Sequence, residues 1–350
     1  MPAIKYINPG RVFKSLFIIT ALFICNVFFI MGKKVPNIDE IRQSQQKAID
    51  FLKRIQRNNG AICDTTNSLF ETWETILALT AIYRLAPDTN LTVIKKGLFF
   101  LKNNENSEGL ICHNQKCKKA YCLETTAVYF NLLKLTDKNK PINARIKKIT
   151  LLQKQTGEWD IGNPDVTIQK NFPSVTAFVL DLLKSAGVEP VYKQGAINWL
   201  IKKQTEEGDW GSAWEYYGCP AYALCPVMKV LQNEKTNDAR LAKERAVAFI
   251  LAEQNKDGSW LCMDAAFQRQ TSAELQTALM LSAMQNAGVK NNEAILKGIN
   301  FLINRQQENG SWDGGYFPIP EKRYTKQEYV FATALAADVM HTYLLNNTSK

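Results

Sequence analysis

EQNKDGSWLCMDAAFQRQTSAELQTALMLSAM, residues Glu253–Met284, is the clearest copy of a unit that the chain writes six times. It reads as the end of one helix, a glycine turn carrying a tryptophan, a loop, and the start of a second helix. Gln254, Gly258 and Trp260 spell Q-x-x-x-G-x-W, and Thr277-Ala278 follow in the second helix. Elsewhere, helices of the first type end in KRIQRNNG, FLKNNENSEG, LLQKQTGEW, LIKKQTEEGDW and LINRQQENGSW. Helices of the second type carry a matching triplet centred on Thr75, Thr126, Thr176, Ala223, Thr277 and Thr333, at spacings of 47 to 56 residues. A period near fifty residues with two helices per unit is the signature of a helical repeat architecture.

The two helix types differ in polarity. The second type is apolar almost all round, as in ETILALTAIY, TAVYFNLL, TAFVLDLL and TALMLSAM, and such helices must be covered on most sides. The first type is amphipathic, with lysine and glutamate on one face. The first pair illustrates both: a helix over roughly Glu40 to Arg57 is stopped at Gly60, and its apolar partner runs from about Phe70 to Leu85 before Pro87. An inner ring wrapped by an outer ring satisfies both patterns, and six pairs suffice to close it. The expected fold is an all-α, α6/α6 toroid over residues 35–350, preceded by an N-terminal hydrophobic helix. With 350 residues and 46% hydrophobic content, the chain can bury a core of that size.

The strings Gly258-Ser259-Trp260 and Gly310-Ser311-Trp312, each after a glutamine, resemble the QW repeats of squalene and oxidosqualene cyclases. They are also similar to the repeats of protein prenyltransferase β subunits. The resemblance covers residues 40 to 345 and implies the same toroid; in the first two copies Ile62 and Ile111 stand where the tryptophan belongs. Physically, the motif reads as a staple between helix end and turn, with the glutamine amide against the indole and glycine permitting the reversal. Gly157, Trp159, Gly208, Trp210, Gln254, Gly258, Trp260, Gly310 and Trp312 are therefore structural candidates.

In such a ring, the loop before each inner helix and that helix's first turn surround one mouth of the central cavity. The lining candidates in the first two units are Glu71, Trp73, Glu74, Tyr121 and Thr125. The fourth unit offers Trp214, Tyr216, Tyr217 and Tyr222, and the last two offer Gln270, Glu274, Gln276, Tyr324 and Tyr329. Aromatic faces stabilise carbocations, and equally fill cores. Among titratable groups Glu124 stands out. The class II terpene cyclases to which the repeats are similar protonate an alkene with an aspartate of a D-x-D-D-T-A or D-C-T-A motif. Cys122-Leu123-Glu124-Thr125-Thr126-Ala127 places Glu124 at that position. The chemistry needs a carboxylic acid aimed into an apolar cavity, which glutamate supplies, although the neighbouring aspartates of the longer motif are missing. A plain helix N-terminal glutamate is the alternative. Glu71 and Glu74 form a second acidic pair on one helix, suited to capping or to glycosidase-type chemistry.

The prenyltransferase resemblance implies a zinc site, but the chain has two histidines, His113 and His341, and no D-x-C in the fifth or sixth unit. Cys112, His113, Cys117 and Cys122 cluster at a spacing unlike a standard zinc motif, so no metal and no cofactor is expected, and disulfides are, with Cys219 and Cys225 among their members. At the N-terminus, Leu16–Met31 is an apolar run between Lys14 and Lys33, read within residues 1–34 as a signal-anchor or a cleaved signal peptide. The body is then expected outside the cytoplasm, anchored in the membrane by that single pass or released by cleavage. The net charge of +10 is spread over polar helix faces without a nucleic-acid motif, so no nucleic-acid partner is expected. Two functional readings follow. One is an enzyme resembling terpenoid cyclases or prenyltransferases, acting on an isoprenoid or other hydrophobic ligand. The other is a non-catalytic toroid that binds a ligand or peptide, similar to exported cobalamin carriers.

Overall fold

The computed structural model describes residues 36–64, 70–87, 91–117, 120–137, 142–162, 171–212, 218–262, 271–290, 292–315 and 329–348. The N-terminal apolar run lies outside them. Among the described residues, no helix is long and apolar enough to cross a membrane. Twelve α-helices follow one another among the described residues: α1 (Ile38–Arg54), α2 (Glu71–Leu85), α3 (Leu91–Asn103), α4 (Leu123–Thr136), α5 (Asn143–Leu151), α6 (Pro173–Ala186), α7 (Lys193–Lys202), α8 (Ala221–Leu231), α9 (Asn237–Ala252), α10 (Ala273–Asn286), α11 (Glu293–Arg305) and α12 (Val330–Thr348).

The even-numbered helices form the inner ring. Each packs on the next, α2 on α4, α4 on α6, α6 on α8, α8 on α10 and α10 on α12, and α12 returns to α2. Their all-round apolar sequences are explained by this position. Helix α10 buries ten of its fourteen residues, from Glu274 to Met284. The odd-numbered helices cover the ring from outside, and the amphipathic α1 sends Ile41, Ala48, Ile49 and Leu52 inward.

The repeat motif assigns a separate bond to each of its residues. Each tryptophan turns its indole N–H back to the outer helix ten residues earlier: Trp159 to the Ile149 carbonyl, Trp210 to Leu200, Trp260 to Ile250 and Trp312 to Leu302, at 2.7–2.9 Å. The recurrent threonine meets the same turn from the inner helix. Thr75, Thr126, Thr176, Thr277 and Thr333 accept, through Oγ1, the backbone N–H of Ile62, Ile111, Trp159, Trp260 and Trp312. The isoleucines of the first two units thus keep the backbone bond and give up only the indole. The hydrogen bonds of the glutamine go to backbone rather than to the indole expected from sequence. Gln254 Nε2 donates to Gly258 O at 3.0 Å and to Ala294 O, in the next outer helix, at 2.8 Å.

Ring closure uses the same device. Gln306 donates to Gly310 O and to Ser44 O of α1, and Ser44 returns a bond to Gln306 Oε1. Asp64 then caps α12 by accepting from Tyr329 N and Val330 N. Glycine is required where each turn meets the following outer helix. Gly258 has φ +92°, and a Cβ there would lie 2.5 Å from Lys297 O; at Gly310, φ +92°, it would lie 2.3 Å from Lys47 O.

Two substitutions separate these roles. Gly258→Ala combines a disfavoured φ with a backbone clash and is expected to cost at least about 2 kcal/mol. Trp260→Phe leaves the Ile250 carbonyl without its buried donor and is expected to cost about 1–3 kcal/mol. Urea unfolding followed by circular dichroism checks both. Midpoints equal to wild type would refute the assigned bonds.

Candidate functional site

The repeat register locates the ring axis. Two residues before the recurrent threonine, the inner helices carry Trp73, Glu124, Ser174, Ala221 (before Ala223), Leu275 and Phe331. Trp73 of α2 and Phe331 of α12 meet edge to face, with ring centroids 6.4 Å apart at 79°. Phe178 of α6 stands 6.1 Å from Trp73 at 79°, and Tyr222 of α8 stands 6.3 Å from Phe331 at 80°. Aromatic side chains from four inner helices therefore converge in one layer. Trp73, Tyr222 and Phe331 are 5%, 5% and 4% exposed, so the layer excludes most water.

Glu124 joins this layer from α4. The Tyr222 hydroxyl donates to Glu124 Oε1 at 2.7 Å, a bond between the second and fourth units. Glu124 is half-buried, whereas the other five residues of its register are buried, so it borders accessible space. Pro226 lies inside α8 and has no N–H to offer the Tyr222 carbonyl one turn earlier. The indole Nε1 of Trp73 is buried without a hydrogen-bond partner, leaving a donor in the aromatic layer.

Further along the axis, Leu77, Val128 and Leu335 are half-buried. A polar belt follows. Asn131 Nδ2 donates to Asp181 Oδ2 at 3.1 Å, Lys229 Nζ approaches the same oxygen at 2.9 Å, and Arg84 holds Asp338 Oδ2 at 2.7 Å. Burial pushes the Asp338 acid above the usual carboxylate range, against the pull of Arg84. The interior thus has an aromatic layer bearing one carboxylate and, beyond an apolar band, a charged end.

The remaining lining candidates are engaged locally. Glu74 Oε2 accepts from Asp64 N, and Gln276, at the same register, accepts from Cys262 N. Glu71 accepts from Gln115 N at 3.4 Å and lies 4.0 Å from Arg57. Glu274 is buried and paired with Arg305 at 2.8 Å. The acidic pair Glu71 and Glu74 thus binds loop backbone, through Gln115 N and Asp64 N. Thr125 is buried, and Tyr121 is half-buried with its ring against Gly162. Burial pushes the Tyr121 phenol up. The backbone N–H of Tyr329 is tied to Asp64. Trp214, Tyr216, Tyr217, Gln270 and Tyr324 lie outside the described residues. Phe178 and Phe331 were not among the candidates. Their signal was register, two residues after Thr176 and two before Thr333, rather than position in a loop.

Cysteine usage departs from expectation in one respect. Cys112 and Cys117 are disulfide-bonded, but Cys219 and Cys225 are not, and neither are Cys63, Cys122 and Cys262. Cys219 is buried ahead of α8, and Cys225 lies inside that helix, 3.1 Å from Ser282 Oγ. Their separate environments, rather than the matching Cys-Pro dipeptides, decide the outcome. Burial pushes the thiols of Cys122, Cys219 and Cys225 up to about 11 and those of Cys63 and Cys262 up to about 12.

Two family models match the chain: the squalene-hopene cyclase C-terminal domain over residues 158–330 and the prenyltransferase alpha-alpha toroid domain over residues 10–162. The squalene–hopene cyclase of Zymomonas mobilis is 29% identical over 212 residues, which are 52% of this chain and 31% of that protein. The chain therefore spans less than a third of that relative's length. The apo structure of the type II terpene cyclase MstE from Scytonema has a TM-score of 0.70 at 17% identity, covering 87% of this chain and 98% of that one. A variant of that cyclase in complex with its substrate, geranylgeranyl dihydroxybenzoate, gives a TM-score of 0.70 at 15% identity, covering 87% and 98%. These structures share the ring fold with the chain.

Alkylation follows the thiolate, so thiols raised to about 11–12 stay unreactive at neutral pH. Peptide mass mapping of the native protein is expected to find Cys63, Cys122, Cys219, Cys225 and Cys262 unmodified by iodoacetamide. All five are expected to react after unfolding without reductant. A Cys219–Cys225 cross-linked peptide would refute the assignment.

Proposed function

The chain belongs to the terpenoid cyclase and protein prenyltransferase-like superfamily, and from that premise we propose that it binds an isoprenoid or similar hydrophobic ligand within the ring and starts its cyclisation by proton transfer from Glu124. The observation that carries this reading is the 2.7 Å bond from Tyr222 to Glu124, beside an aromatic layer on the ring axis. In the reaction, the protonated Glu124 gives its proton to the less substituted CH carbon of the substrate's terminal trisubstituted alkene. The π electrons form the new C–H bond and leave a tertiary cation. An internal alkene closes on that cation, and loss of a proton from the product ends the sequence. The Tyr222 hydroxyl donates to the carboxylate left behind, stabilising the charge that develops there. Trp73, Phe178 and Phe331 present the π systems that favour a cation over water.

The polar belt at Asp181, Lys229, Arg84 and Asp338 limits how far an apolar chain can extend along the axis. We further place the chain at a membrane through Leu16–Met31, with its body outside the cytoplasm, because an apolar substrate concentrates in lipid.

Incubation of the full chain with all-trans polyprenyl substrates and mass analysis of the products tests the acid. Glu124→Gln is expected to lower turnover by about 10²–10⁴-fold, the usual range for a positioned acid. Tyr222→Phe is expected to lower kcat about 10- to 100-fold with little change in KM, the value of one hydrogen bond to a charged group. Unchanged turnover in Glu124→Gln would overturn the acid assignment. A ligand bound by wild type and recovered unaltered would instead favour the binding toroid.

A further inference from the structure

We propose that Cys112, His113 and Cys117 form a binding site for a zinc-type divalent cation when the Cys112–Cys117 disulfide is reduced. His113 Nδ1 lies 3.5 Å from Cys112 Sγ and 4.0 Å from Cys117 Sγ, and the three ligand atoms fall within 4.8 Å of one another. A tetrahedral zinc ion with Zn–S about 2.3 Å and Zn–N about 2.0–2.1 Å needs sulfur–nitrogen edges of about 3.6 Å and a sulfur–sulfur edge of about 3.8 Å. Both sulfur–nitrogen edges are close to that geometry in the oxidised protein. Only the sulfur–sulfur edge has to open.

The loop that carries these ligands is fixed by bonds independent of the disulfide. The His113 carbonyl accepts from Thr72 N at 3.1 Å and Trp73 N at 3.3 Å, capping the start of α2. Gln115 N reaches Glu71 Oε1, Cys117 N reaches Asn114 Oδ1 at 3.1 Å, and Ala120 N reaches Cys117 O at 2.8 Å. The imidazole rests against Phe70, with ring centroids 5.6 Å apart. Reduction therefore leaves the ligands on a held backbone, and the preorganised loop lowers the entropic cost of binding. Cys112 is buried, while His113 and Cys117 are half-buried and give an ion access. Two thiolates and a neutral imidazole around a divalent cation sum to zero charge, which suits a site with little water. A water can occupy the fourth position.

An external dithiol supplies two electrons and two protons, converting the disulfide to two thiols and itself becoming a disulfide. Binding of the cation then releases both thiol protons to solvent. Either cross-link, disulfide or metal, keeps the His113 carbonyl over the first turn of α2, from which Trp73 projects into the aromatic layer.

Cobalt(II) titration of the full chain tests the site. The protein is reduced with a phosphine, freed of it without oxygen, and followed by absorption. One equivalent is expected to give sulfur-to-cobalt charge-transfer bands in the near ultraviolet that one equivalent of zinc abolishes. The oxidised protein is expected to show none. Cys117→Ser is expected to lose the bands, while His113→Ala weakens binding at least about 10-fold, since even outer-shell partners contribute 10–100-fold. Far-ultraviolet circular dichroism checks each variant's helicity, and the reduced-against-oxidised comparison of wild type is decisive where a variant fails to fold. Absence of the bands in reduced wild type, or their persistence in oxidised protein or in folded Cys117→Ser, would overturn the proposal.

Discussion

A glutamine amide has two N–H donors, and this ring depends on how they are divided. In five turns, Gln56, Gln153, Gln204, Gln254 and Gln306 give one bond to the glycine carbonyl of their own turn and one to a backbone carbonyl near the start of the next outer helix. The first fixes the turn; the second fixes the following repeat against it. The carbonyls so engaged are Val93, Tyr192, Ala242, Ala294 and Ser44, and the last closes the circle. In a repeat protein, stability is largely a sum of neighbour terms. Here the neighbour term is a directional hydrogen bond backed by a glycine that admits close backbone approach.

The second unit departs from this pattern. Glu105 occupies the glutamine position and can only accept when ionised. Arg145 of α5 supplies the link to the next outer helix at 2.8 Å, and the Tyr129 hydroxyl donates to the same carboxylate oxygen at 2.7 Å. Arg145 also donates to the Gly109 carbonyl, taking over the bond that a glutamine would have made to its own turn. A change of one side chain from donor to acceptor is thus absorbed by an arginine from the opposite partner. Burial and the Glu105 charge together push the Tyr129 phenol well above its ordinary range.

The ring and its two layers were legible in the sequence because periodicity and polarity are local properties of a helix. The destinations of the motif's bonds were not, since the second glutamine bond reaches a residue about forty positions away. The candidate site was legible in part. Trp73, Glu124 and Tyr222 could be named as first-turn residues, but Glu71, Glu74, Glu274 and Gln276 occupy the same turns and face loop backbone or an outer-helix arginine instead. Which side of a first turn faces the axis depends on helix rotation within the ring. The position of the recurrent threonine, bonded to the neighbouring turn, gives that rotation. Phe178 and Phe331 become readable only once the threonine is used as the zero of register.

That register also shows why the interior can be specific. Six equivalent positions carrying the same side chain would give a symmetric plug or a symmetric hole. The residues present are Trp73, Glu124, Ser174, Ala221, Leu275 and Phe331, with one ionisable group among six. Ala221 presents only a methyl group on α8, where the adjacent Tyr222 crosses to Glu124 and packs its ring edge to face with Phe331. Aromatic bulk gathers on α2, α6, α8 and α12, and the carboxylate stands on α4 with partial solvent access. The threonine, tryptophan, glutamine and glycine bonds hold the backbone repeats in place without calling on these positions. They are consequently free to differ from unit to unit, and the shape and charge of the interior are set by those differences.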